Sequence, residues 1–78
     1  MATPTVAVSH RTIEARRRKR AVMRRARIVF EDLATARDWL QTPNRALGGE
    51  VPAKLLRSKA GTREVLEVLG RIQFDLYS

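Results

Sequence analysis

The side chains of this sequence that could do chemistry are mostly cations, and they are crowded together. Arg16, Arg17, Arg18, Lys19 and Arg20 run without interruption, and Arg24 follows one turn later. Residues 11 to 27 hold nine Arg or Lys against one Glu, while the rest of the chain holds seven bases and seven acids. The net charge of +8 therefore belongs to one segment. Such a run suits contact with nucleic-acid phosphates or with an acidic protein surface, and the plain alternative is a solvated, solubilising arm. No aromatic residue is interleaved and no helix-turn-helix pair surrounds it, so base-specific reading is not expected. Phosphate contact through about five cations would give a slope near −4.5 in log affinity against log salt on duplex DNA.

Other chemistry finds little support. His10 is the sole histidine, and the sequence offers no nearby carboxylate or serine arrangement to orient it. The absence of Cys removes disulfides, thiol redox chemistry and cysteine-zinc sites. Gly48-Gly49 matches neither the GxGxxG nor the GxxxxGK[ST] phosphate loop. Asp and Glu lie mostly at helix-surface positions beside Arg or Lys, where a solvated face explains them. No enzyme and no cofactor is expected.

The last residues form a second candidate contact group. Phe74, Leu76 and Tyr77 fall within the final five positions, where a chain normally frays. They either pack back on Trp39 and Leu40 or enter a partner's cleft, with Tyr77 as an aromatic anchor and Ser78 adding polar contacts. The residues alone leave these two readings level.

The elements that must position these groups read as helices throughout, so the fold class is all-α, a small bundle of about four to five helices. Residues 1–9 lack helical spacing and are expected to be disordered. Ser9 is placed to cap a helix from His10 to about Val29. Five consecutive cations turn through more than a full circle, so no apolar face is expected between Arg16 and Arg20. Like charges and the helix dipole both work against helix there, so fraying is expected until a polyanion or acidic surface arrives. From Val22 the rhythm Val22, Ala26, Val29, Phe30, Leu33 can pack on a scaffold, and it also supplies a candidate surface for self-association. Asp32 opens a helix over Leu33 to Gln41 with Leu33, Ala36, Trp39 and Leu40 inward. Thr42-Pro43-Asn44-Arg45 signals a turn with Pro at its second position. Leu47 is an anchor beside Gly48-Gly49, and Pro52 begins a helix through Leu55-Leu56. Ser58 caps the last helix, along which Val65, Leu66, Val68, Leu69, Ile72 and Leu76 recur three and four apart. Gly61 and Gly70 within it are expected to mark close approach of another group. Three segments result: a disordered 1–9, a basic helical arm over 10–27, and a helical partner-binding domain over 28–78.

About 60 foldable residues bury only about 60% of the surface their unfolded chain exposes, so association with itself or with a partner is expected to add stability. No run approaches the roughly 20 apolar residues that span a bilayer, and no export signal is recognisable at the start. A place in the cytoplasm is expected.

One longer pattern remains. Ala26-Arg27-Ile28-Val29-Phe30, Ala36-x-x-Trp39-Leu40, Pro43-Asn44, Ala46-Leu47-Gly48-Gly49, Pro52, Leu55-Leu56, Gly61, Val65, Leu69-Gly70-Arg71-Ile72 and Tyr77-Ser78 stand in this order. Together they resemble the toxin-binding domain of the Xre/MbcA/ParS antitoxin family, over about Arg24 to Ser78. The resemblance implies an all-α antitoxin domain that neutralises a RES-domain toxin, an NAD-consuming enzyme, by covering its active-site cleft with the C-terminal helix and tail. It favours insertion over packing back. Carried over, the toxin contacts are Arg71, Phe74, Asp75, Leu76, Tyr77 and Ser78, and the scaffold is Trp39, Leu40, Leu47, Gly48, Gly49, Pro52, Leu56, Gly61 and Gly70. The sequence departs from the family pattern in two places. Only about 25 residues precede the shared block, where family members usually carry a DNA-binding helix-turn-helix domain. Asp75 also stands where Gly is common, a position that matters if the backbone there adopts positive φ. The alternative to an antitoxin is a small basic nucleic-acid-binding regulator, working through Arg16, Arg17, Arg18, Lys19, Arg20 and Arg24.

Overall fold

Apolar spacing along two long helices decides how the chain closes. The computed structural model describes residues 10–77, with side chains described as far as residue 76. Four α-helices and one 3-10 turn follow in order: α1 His10–Phe30, α2 Leu33–Gln41, the 3-10 turn Arg45–Leu47, α3 Pro52–Leu55 and α4 Lys59–Tyr77. The all-α expectation holds. The disorder expected of residues 1–9 and the expected Ser9 cap fall outside the described residues.

Helix α1 is unbroken, and the change in pattern at Val22 is a change in what its face meets. Val22, Ala26 and Val29 are buried against α4 and α2, whereas the residues before them are largely exposed. From α4 come Val65, Val68 and Leu69, also buried, with Ala36 and Leu40 of α2 and Leu47 and Leu56 closing the cluster. Phe30 and Trp39 pack at its edge with planes tilted by 41° and ring centroids 5.7 Å apart, a separation usual for aromatic pairs. Val22, Ala26 and Val29 are thus spent on the core of one chain and are not free as a surface for self-association. Leu33 departs from the stripe: it opens α2 facing solvent rather than inward.

Local signals set the helix ends. Glu31 ends α1 in the left-handed region at φ 58, its N–H donating to the Arg27 carbonyl at 2.8 Å. This is the αL stop usually given to glycine. Asp32 then caps α2, accepting from the Thr35 N–H at 3.0 Å and the Thr35 hydroxyl at 2.6 Å. Those bonds, the hydroxyl's first, hold the Asp32 carboxyl below its ordinary pKa.

The expected turn at Pro43 is not where the chain reverses. Thr42 and Asn44 are both extended, and the reversal falls on Arg45 to Gly49. There Asn44 Oδ1 accepts from the Ala46 N–H, and Gly48 and Gly49 take φ of 66 and 82. A backbone pair from Asn44 N–H to Glu50 O at 3.0 Å shuts the loop and tucks Leu47 under α4. Asn44 won because its side chain can cap the 3-10 turn, whereas Pro43 fixes only its own φ.

Pro52 occupies the first turn of α3, and Ser58 caps α4 through its Oγ, which accepts from the Gly61 N–H at 2.9 Å. A Cβ on Gly61 would collide with the Leu55 carbonyl oxygen, so this glycine marks a close approach as expected. Gly70 does not: a Cβ there would meet nothing within 4 Å. Among the described residues no helix is long and apolar enough to cross a membrane.

Candidate functional site

Helix α4 continues past the layer that buries it. Its inward side is Gly61, Thr62, Val65, Val68 and Leu69, but by Phe74 and Leu76 nothing covers it: Phe74 is 72% exposed and Leu76 61%. The two are exposed for different reasons. Phe74 lies nine residues after Val65, about 180° around the helix, and so on the far side from the core. Leu76 lies seven residues after Leu69 and almost in line with it, so it keeps to the stripe after the scaffold has run out. Packing back on Trp39 and Leu40 is therefore not what Phe74 and Leu76 do.

Around Phe74 the helix surface is shaped by an omission. Gly70, one turn earlier, presents no side chain, and a shallow depression opens among Glu67, Gly70, Arg71, Phe74 and Asp75. Arg71 is flanked by carboxylate residues one turn away on either side. The surface thus joins a large apolar ring to charged groups that can set orientation. Asp75 sits inside α4, and Glu31 is the one described non-glycine residue with positive φ, so Asp75 stands in ordinary helix. The side chain of Tyr77, and Ser78 entirely, lie outside the described residues.

A family model for the antitoxin Xre/MbcA/ParS C-terminal toxin-binding domain matches residues 25–74. The chain belongs to this family. Neither a curated protein nor a solved structure matches it. The Xre/MbcA/ParS match takes in the last six residues of α1, all of α2 and α3, and α4 up to Phe74. Residues 75 to 78 fall beyond it, as does every cation from Arg11 to Arg24.

Within this toxin-binding domain, the residues read as scaffold behave unevenly. Leu40, Leu47, Pro52, Leu56 and Gly61 are buried and Trp39 is half-buried; Gly48 and Gly49 are exposed and make the left-handed turn. Gly70 is half-buried and opens the depression instead of admitting a neighbour.

The cationic group divides as well. Arg16, Arg17, Lys19, Arg20 and Arg24 are exposed, but Arg18 is turned inward with its side chain only 16% exposed. Its Nε donates to the Leu56 carbonyl at 3.0 Å and its Nη2 to the Arg57 carbonyl at 3.1 Å. Those oxygens follow the end of α3, where helices leave carbonyls without partners. Spacing within the run marks no inward position, because a single planar fork among five cations gives no periodic signal. His10, expected to have no carboxylate nearby, does have one: its Nε2 lies 3.3 Å from Glu14 Oε1, one turn on. The ring is 90% exposed, in the geometry of a solvated helix pair.

Proposed function

We propose that this chain is the toxin-binding part of an antitoxin that stops a RES-domain toxin by lodging the end of α4 in its active-site cleft. The carrying observation is the exposure of Phe74 and Leu76 at the end of a helix whose earlier apolar residues are buried. Covering each releases apolar surface worth roughly 1.5 to 3 kcal/mol, which favours a partner that supplies the missing wall. Arg71 and Asp75 orient the helix in that wall, and Tyr77 and Ser78 extend the contact. Inhibition on this reading is occlusion. The antitoxin contributes no reacting group, and substrate NAD is shut out of the cleft.

The test is co-expression with a RES-domain toxin in cells whose growth the toxin arrests. The full chain restores growth, and a chain lacking Leu76 to Ser78 does not, although its far-UV circular dichroism is unchanged. Rescue that survives the deletion removes the tail from the mechanism.

A second reading, a small basic regulator bound to DNA phosphates, is favoured by the exposure of Arg16, Arg17, Lys19, Arg20 and Arg24 on α1. Arg18 is left out because its guanidinium is held by the fold. This reading predicts duplex binding that falls steeply with salt and disappears when Arg16, Arg17 and Lys19 are made neutral. No duplex binding at 50 mM salt removes it.

A further inference from the structure

We propose that the corner between the end of α1 and the start of α2 is a second docking site, shaped for an acidic amphipathic helix of a partner protein. Arg20, Arg24 and Arg27 stand at four- and three-residue spacing, along about 10 Å of α1. They rim an open cleft whose apolar lining is Met23, Ile28 and Leu33. Ile28 is 52% exposed and Leu33 37%, so aliphatic surface lies open beside three exposed guanidinium groups. Among the described residues the α1 ion pairs join His10 and Arg18 to Glu14, and none joins Arg20, Arg24 or Arg27 to a carboxylate.

Charge complementarity and the apolar lining together select the occupant. A helix with carboxylates at matching spacing meets the three arginines, and its large apolar side chains cover Ile28 and Leu33. A nucleic-acid backbone would satisfy the guanidinium groups but bring nothing apolar to the lining. An anionic membrane would take the aliphatic groups, but Glu31 also lines the cleft and opposes a uniformly negative surface. In a protein partner the same Glu31 accepts a single cation, which fixes the direction in which the helix lies. This site is separate from the α4 end and does not depend on the reading of the tail.

The experiment measures binding of the full chain to four probes. They are a 16-residue synthetic helix with three glutamates at matching spacing beside leucines, a scrambled peptide of the same composition, a 16-base-pair duplex, and phosphatidylserine-containing vesicles. Ile28→Ser with Leu33→Ser changes only exposed side chains, and circular dichroism checks that the fold is kept. The designed helix is expected to bind at least tenfold tighter than the scrambled peptide, and to lose at least tenfold both in this double variant and in Arg24→Glu. Deleting Leu76 to Ser78 leaves that binding unchanged, which separates this site from the tail. The proposal is overturned if the designed and scrambled peptides bind alike, or if the double variant binds the designed helix as well as the parent does. Tighter binding of the duplex or of the vesicles than of the designed helix overturns it too, and assigns the cleft to phosphate or to lipid.

Discussion

Arg18 reaches across 38 positions of chain to donate from Nε to the carbonyl oxygen of Leu56 at 3.0 Å. A residue in the middle of the most cationic stretch thereby fastens α1 to the end of α3. Charged hydrogen bonds of this kind are worth about 1.5 to 3 kcal/mol, and the side chain is largely shielded from water. Arg18→Met is expected to lower the unfolding free energy by about that amount in urea titration. Arg17→Ala, next to it and exposed, is expected to change stability by no more than about 0.5 kcal/mol.

The two glycines of α4 make opposite predictions. Gly61→Ala drives a methyl group into the Leu55 carbonyl, and overpacking of this sort destabilises by about 1 to 3 kcal/mol. Gly70→Ala meets open space, and removing a helical glycine should stabilise by roughly 0.5 to 1 kcal/mol. Thermal melts of the two variants that shift in the same direction would contradict the packing described.

Glu31 holds a backbone conformation that side chains with a Cβ disfavour. Glu31→Gly relieves that strain while adding freedom to the unfolded chain, for a net gain of about 0.5 to 1 kcal/mol. A β-branched replacement such as Glu31→Val is expected to destabilise. Urea midpoints for the three proteins give the order directly.

Asp32 ties stability to acid. Its carboxyl is held below the ordinary carboxylate pKa by the Thr35 hydroxyl and then by the Thr35 N–H. A lowered pKa in the folded chain means that the contribution is complete above the ordinary value and lost as pH falls through the folded one. The first turn of α2 should therefore loosen in acid, not in base. Asp32→Asn keeps a capping oxygen but cannot titrate, so its melting temperature is expected to fall less between pH 6 and pH 2 than that of the parent.

Phe74→Ala separates stability from function. The ring is mostly in water, so stability is expected to stay within about 0.5 kcal/mol of the parent. Rescue from a RES-domain toxin is expected to be lost.

Most of the fold could be read from local signals, because those signals act over a few residues. Asp32 and Ser58 as caps, Pro52 in a first turn and the stripe from Val65 to Leu69 each follow from spacing and side-chain chemistry. What could not be read depends on where a distant segment happens to lie. Arg18 is ordinary until Leu56 and Arg57 arrive with unpaired carbonyls, and Gly70 is indistinguishable from Gly61 until Leu55 is seen beside only one of them. Leu33 and Leu76 fit their stripes by angle, yet each stands past the edge of the packed layer, a boundary periodicity does not encode. The candidate tail was legible as composition, while the opposite placement of Phe74 and Leu76 around α4 needed the extent of the core. The Arg20-to-Leu33 cleft needed the direction in which α2 leaves α1.

The unbroken course of α1 has a consequence for how the arm can change. Val22, Ala26 and Val29 set the rotational phase of the whole rod, and the cations ahead of them inherit it. Deleting one residue between Lys19 and Val22 would leave the charge almost untouched, yet swing every earlier side chain by about 100° and draw Arg18 off its carbonyls. Alignment along the rod, more than the tally of positive groups, is what a lineage of such proteins would have to preserve.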